Sequence, residues 1–188
     1  MSTLFIVREY LADSIAAVAH RVRPPRRASP PDGQLLDRMV PHVAHEMAAM
    51  EKATQLWTDT GVWIALEDAL LHARLLTDFF WPTTGRYADS AVLAEHYMPA
   101  WRDKCGAPPA VVRAARKALH RQLAHLSRER VTKPQDLGVQ ARGLADAVWD
   151  GWARLLGMMG QTAHSTQLRA ELSARAIDLG VQLPPGAT

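Results

Sequence analysis

The sequence predicts an all-α protein: a four- to five-helix antiparallel bundle with an N-terminal helical arm. The chain has 188 residues, of which 48% are hydrophobic and 22% charged, so it is long enough to bury a core. It is rich in Ala, Leu and Arg and has few runs of β-branched residues, which favours helices over strands. Short breaks separate the long helical segments, and short connections favour antiparallel neighbours.

The segment 62–81, VWIALEDALLHARLLTDFFW, predicts the central helix. At the helical spacing of about 100° per residue, apolar side chains cover nearly its whole circumference, which is typical of a helix enclosed by others. The interrupting charges collect on one narrow seam formed by Glu67, Arg74 and Asp78. Asp68 and His72 form a second pair, four residues apart.

The remaining segments predict an N-terminal arm, further helices and a tail. A capped helix at 3–20 is followed by a linker rich in Pro and Arg, which blocks a helix. A short helix at 89–96 is expected to cross one end of the bundle. The long helices are expected at 34–59, 110–130, 137–159 and 165–179.

These elements divide the chain into three parts. Residues 1–33 form the arm and linker, residues 34–180 form the bundle domain, and residues 181–188 are expected to be a frayed tail after the stop at Gly180.

Composition indicates which partners and which cellular compartment the protein can have. The formal net charge is +3, which permits a nucleic-acid partner without requiring one. Cys105 is the single cysteine, so no intramolecular disulfide can form and a reducing cytoplasm is expected. No run is apolar enough for a membrane span, and the segment 1–9 lacks the features of a secretory signal.

The helix LHRQLAHLSRER, residues 119–130, carries the most suggestive set of polar residues. His125 falls at the edge of its apolar stripe, with Arg121 one turn earlier and Arg128 on the same flank. Imidazole moves protons near neutral pH and guanidinium stabilises charge on phosphate, so this set suits phosphodiester chemistry. The alternative is a rim histidine bonded to a neighbouring helix and flanked by solvated arginines.

The segment 34–157 resembles the HEPN superfamily. The resemblance is carried by the motif AHL at 124–126, which lies late in a predicted helical hairpin and follows basic residues. The resemblance implies a four- to five-helix bundle, often dimeric, whose active members are metal-independent ribonucleases with an Arg-x(4–6)-His motif. His125 matches the family's histidine and Arg121 is the nearest candidate for its arginine. Three residues lie between Arg121 and His125, and eight lie between Arg116 and His125, where the family motif has four to six. Gln122 stands where the motif has Asn or Asp. The segment HARLLTDFF also resembles small bacterial helical proteins.

The charged residues of the central helix complete the predicted site. If the seam faces a cleft near His125, it positions substrate or orients the imidazole; otherwise it is a buried salt-bridge network that fixes helix register. The predicted substrate-binding or positioning residues are Glu67, His72, Arg74, Asp78 and Arg128.

Two other functional readings stay open. The first is a metal-dependent bundle enzyme, because His42, His45 and Glu46 share one helical face. No predicted helix holds a Glu-x-x-His motif, however, so we expect neither a metal nor a cofactor. A non-enzymatic interaction module would use the arm and the arginine-rich linker to recruit a partner. We expect RNA as the partner, a homodimer and no membrane association.

Overall fold

The computed structural model describes residues 31–82, 91–122 and 137–187, and every regular element in these ranges is a helix. The predicted all-α class is therefore confirmed. The helices are α1 (Gly33–Thr60), α2 (Trp63–Phe80), α3 (Ala94–Tyr97), α4 (Trp101–Cys105), α5 (Ala110–Gln122), α6 (Leu137–Met159) and α7 (Ala163–Leu179).

Local caps define the hairpin of α1 and α2. The Asp32 carboxylate accepts a hydrogen bond from the backbone N–H of Leu35 at 2.7 Å, which pairs a free donor of the first turn. Gly61 ends α1 in a left-handed conformation, with φ 67°, and its N–H donates to the Trp57 carbonyl. Glycine adopts this conformation without a steric cost, so α2 can start two residues later.

One hydrophobic core joins the long helices. α1 packs on α2 and α7, and α6 packs on α2 and α5. Most of the tryptophans serve this core, as their positions on apolar helix faces predict. The largest fully buried side chains are Trp101, Trp152, Phe80, Met47, Met50 and Leu70.

α2 is covered on most sides, as expected, but one of its faces is exposed in the part of the chain that the structure describes. Ile64, Leu71 and Leu75, here called the open face, are 72%, 49% and 49% exposed. They share one side of the helix at a spacing of seven and four residues. The neighbouring helices cover the opposite side, where Leu66, Leu70 and other apolar residues are buried.

Two short helices lie over the C-terminal end of α2, where an excursion was expected. The Tyr97 hydroxyl of α3 donates to the Leu36 carbonyl at 3.0 Å, and the tyrosine ring packs against Phe79. The Trp101 indole N–H of α4 donates to the Phe80 carbonyl at 2.6 Å. This end of α2 is therefore close to the start of α1.

α6 crosses α2 at Gly151. A Cβ atom at this residue would lie 3.1 Å from Cη2 of Trp81 and 3.2 Å from Cγ of Phe80. The absence of a side chain allows the two helices to approach closely at these rings.

The residues after α7 pack on the core, so the expectation of a frayed tail is wrong. The Trp152 indole N–H donates to the Ala187 carbonyl at 2.8 Å, and the Gln55 amide donates to the Gln182 carbonyl at 2.7 Å. Ala187 is itself buried. A buried indole N–H needs an acceptor, and the tail provides one.

Deleting residues 186–188 should lower the free energy of unfolding by about 1–3 kcal/mol, because the buried Trp152 N–H loses its acceptor. Urea denaturation measures the change. Deleting Thr188 alone is the matched control, since an oxygen of the resulting Ala187 carboxylate can still accept from the indole. Equal stability of the two truncated proteins would contradict a role for this hydrogen bond.

Candidate functional site

The two predicted catalytic residues are placed only in part. His125 and Arg128 lie outside the described residues. Arg121 lies in α5, one residue before the described end of that helix, and only its place in the helix is described. The described geometry therefore concerns the α2 side of the predicted site and the helix that leads to His125.

α5 is attached to the C-terminal end of α2 by Arg116. Nη2 of Arg116 donates to the Thr77 carbonyl at 3.0 Å and also to the Trp81 carbonyl, and it lies 3.4 Å from Oδ1 of Asp78. A cation is favourable at a helix C-terminus, where carbonyl groups lack partners within the helix. On the same side of α5, one turn before and one turn after Arg116, Val112 and Leu119 are buried in the core.

Burial dominates the electrostatics of this contact. It raises the pKa of the Asp78 carboxyl, although the charges of Arg116 and Arg74 act to lower that pKa. Burial likewise lowers the pKa of Arg116, against the attraction of Asp78. For both groups burial outweighs the partner's charge, so the hydrogen bonds of Arg116 with the Thr77 and Trp81 carbonyls are the firmer part of the contact.

Arg116 is therefore engaged with the protein. Its guanidinium serves the carbonyls of α2, and binding a phosphate would require breaking those bonds.

A second cluster joins α2 to α1 through His72. Nδ1 of His72 lies 2.6 Å from Oε2 of Glu46, and Nε2 lies 3.5 Å from Oδ1 of Asp68. His45 approaches the same imidazole edge-on, with ring centroids 6.3 Å apart. The pairing of Asp68 with His72 follows from their spacing, whereas the partnership with Glu46 was missed because Glu46 was weighed only as a metal ligand.

The hydrogen bond with Glu46 is the largest influence on the titration of His72. It raises the pKa of the imidazole against the opposing effect of burial, and the nearby Glu46 and Asp68 charges raise it further. The same bond lowers the pKa of Glu46. The two shifts together favour an imidazolium–carboxylate pair between α1 and α2.

The predicted substrate-binding residues thus separate into two groups on α2. Asp78 faces α5, and His72 faces α1. Glu67 and Arg74 are half-buried, and helical spacing puts both on the Asp78 side. Arg74 acts on Asp78 through its charge, while the ion pair of Asp78 is made with Arg116. The open face of α2 lies between the two groups.

Within the described ranges, no group of three or more His, Cys, Asp or Glu side chains is arranged to hold a metal ion. His42 and His45 are exposed on α1. Cys105 is half-buried, and burial raises the pKa of its thiol, which lowers its reactivity.

Comparisons of the chain with protein-family models, with curated proteins and with solved structures return no match. Among the helices that the structure describes, none is both long enough and apolar enough to cross a membrane.

The substitution Glu46→Gln should destabilise the protein in a pH-dependent way. Because the pKa of His72 is raised from 6.5 on folding, its contribution is fully present below that value and is lost as pH rises through the folded pKa. Glu46, with a pKa lowered from 4.5, contributes above that value. At pH 6 we expect a loss of about 1 kcal/mol, which fades in alkaline solution.

Urea denaturation between pH 5 and about pH 9 measures this loss. Asp59→Asn, on the exposed end of α1, is the control and should show no such trend. A loss that stays constant over the whole range would contradict the protonated pair.

The substitution Arg116→Met should lower the free energy of unfolding by about 1–3 kcal/mol, since the part-buried Thr77 and Trp81 carbonyls lose this donor. Arg113→Met, which removes an exposed hydrogen bond to the Pro108 carbonyl at the start of the same helix, should change it by less than about 0.5 kcal/mol. Thermal and urea unfolding compare the two variants. A smaller effect for Arg116 than for Arg113 would show that α5 is attached by its apolar contacts alone.

Proposed function

We propose that this chain is a HEPN-like antiparallel helical bundle that binds RNA and cleaves it by metal-independent acid–base chemistry, as a cytoplasmic homodimer. The observation that carries the proposal is the contact of Arg116 with Asp78 and the carbonyls of α2. It seats α5, which leads to Arg121 and His125, against the helix that bears the charged seam. The resemblance of the segment 34–157 to the HEPN superfamily supplies the chemistry.

In this proposal His125 transfers the proton. A neutral imidazole accepts the proton of a ribose 2′-hydroxyl as that oxygen attacks the adjacent phosphorus. The bond from phosphorus to the 5′-oxygen breaks, and that leaving oxygen takes a proton from an imidazolium. In a homodimer two copies of His125 can take these two roles.

Arg121 has the electrostatic role. The charge that develops on the phosphate oxygens during the reaction needs a fixed donor, and guanidinium provides planar, bidentate hydrogen bonds for it. Arg116 cannot share this role while it binds the end of α2. Arg128 would add attraction for the phosphate backbone.

The charged residues of α2 would position the substrate or the catalytic imidazole and would not take part in the reaction themselves. Asp78 is held by Arg116 and lies on the same side of α2 as Glu67 and Arg74. Charged groups there can orient the imidazole or contact RNA. His72, bound to Glu46 of α1, serves the junction of the two helices.

The substitution His125→Ala should lower the rate of RNA cleavage by at least about 100-fold, the usual contribution of a general acid–base group. Cleavage of a labelled single-stranded RNA by purified protein measures the rate, with and without a chelator. His42→Ala, which removes an exposed histidine of α1, is the matched control. The proposal predicts no effect of the control substitution or of the chelator; unchanged cleavage by His125→Ala would refute it.

A second candidate function, a non-enzymatic interaction module, is favoured by the open face of α2. An apolar strip with charged residues on both sides is the usual arrangement of a protein-binding surface. The two functions separate in a filter-binding experiment at physiological salt. RNA cleavage requires that the protein retains RNA and that Arg121→Gln weakens this binding, whereas the interaction module requires neither.

A further inference from the structure

The open face of α2 has the chemistry of a helix-docking surface. Ile64, Leu71 and Leu75 expose 72%, 49% and 49% of their surface, and they lie together on one side of the helix rather than scattered singly over it. Asp68, itself 56% exposed, lies within the same strip. The open face is a narrow apolar surface with charged residues at its edges, which suits the binding of one amphipathic helix.

The charges around the open face have a small acidic excess. Glu67 and Asp78 lie on one side of it, offset by Arg74 and Arg116. Asp68 and Glu46 lie toward the other side, where His72 offsets one of the two carboxylates. A segment that covers the open face would therefore gain from basic residues.

Residues 1–30, which lie outside the described ranges, have the complementary pattern. Their sequence contains five of the basic residues and two of the acidic residues of the chain, which accounts for the whole net charge of +3. Four of the basic residues fall at 21–27. Apolar residues of the segment recur at helical spacing and would form one stripe: Leu4, Val7, Leu11, Ile15 and Val18.

The two apolar patterns share a register. An offset of 60 residues places Leu4, Leu11 and Ile15 at the positions of Ile64, Leu71 and Leu75. The same offset places Arg8 opposite Asp68, so the one exposed charge within the open face meets a charge of opposite sign.

The chain is long enough for this arrangement. α1 starts near the C-terminal end of α2, because Tyr97 contacts both Leu36 and Phe79. From Phe79 to Ile64 the helix measures about 22 Å at its normal rise. The twelve residues of 21–32 can span up to about 40 Å. In the register set by the offset of 60, a helix at 3–20 runs parallel to α2. The arginine-rich residues 21–27 that follow it then lie beside Asp78 and the C-terminal end of the α2 dipole.

We propose that residues 3–20 form a helix that covers the open face of α2 within the same molecule, with Arg8 against Asp68. Leu4, Leu11 and Ile15 pack on Ile64, Leu71 and Leu75, and the basic residues at 21–27 meet the acidic edge of the face. This inference concerns the assembly of the chain and stands apart from RNA cleavage, so either can fail alone. It competes with the interaction module, because a face covered within the molecule is not open to a partner.

Hydroxyl-radical footprinting of the full-length protein tests the proposal, because it reads the solvent access of individual side chains. Ile177 of α7, 79% exposed, serves as the internal reference. After correction for intrinsic reactivity, Leu71 and Leu75 should be oxidised about tenfold more slowly than Ile177. The substitution Leu11→Asp should remove this protection. Phe5→Asp, on the other side of the predicted helix, is the matched control and should preserve it.

Three outcomes would overturn the proposal. Leu71 could be oxidised as fast as Ile177 in the unsubstituted protein, which would show that the open face is bare. Protection could survive Leu11→Asp, which would show that another part of the chain covers the face. Protection could fall on dilution from about 100 to about 1 μM, which would assign the cover to a second copy.

A charge exchange tests the register independently. Arg8→Glu and Asp68→Arg should each raise the oxidation rate of Leu71 severalfold, and the double substitution should restore protection. Two additive losses without restoration would exclude the pairing of Arg8 with Asp68.

Discussion

The last carbonyl groups of α2 need partners, because a helix leaves its final carbonyls without donors of its own and this end packs under other helices. Two side chains from later in the chain meet this need: the Trp101 indole donates to Phe80, and the Arg116 guanidinium donates to Trp81 and adds a second bond to Thr77, which also accepts from the Trp81 N–H. Each donor places its own helix. The positions of α4 and α5 therefore follow from the hydrogen-bonding requirement of α2.

This constraint also explains why the charged residues of α2 do not form a single site. Asp78 is drawn to α5 by the arginine that caps the helix, while His72 is drawn to α1 by Glu46. Their pKa shifts have different causes: burial raises that of Asp78, and a hydrogen bond raises that of His72. The first group accompanies the helix that leads to Arg121 and His125, and the second stabilises the hairpin of α1 and α2.

Sequence reasoning located the helices well where local chemistry defines them. The predicted bounds of α6, 137–159, agree with the structure, and Gly61 and Gly180 end α1 and α7 as expected. Asp68 and His72 lie on one helix, so their spacing alone predicts their contact. The predicted chemistry at Arg121 and His125 stays a prediction.

Long-range contacts were the part that periodicity could not supply. The partners of His72 and Arg116 come from other helices, and nothing in the spacing of α2 identifies them. An apolar circumference likewise does not tell which side has a neighbour, so the open face was not foreseen. The packed tail was missed because its acceptor, the Ala187 carbonyl, is a backbone group available at any residue.

The close crossing at Gly151 links this residue with Phe80 and Trp81, two neighbours that lie far from it in the sequence. Because the rings of Phe80 and Trp81 lie only 3.1–3.2 Å from the position of a Cβ atom there, a larger residue at 151 requires these rings to shift. Divergent versions of this chain should therefore change these positions together. Trp101 donates a hydrogen bond to the Phe80 carbonyl, so a substitution at Gly151 should also be accompanied by changes in α4, the helix that carries Trp101.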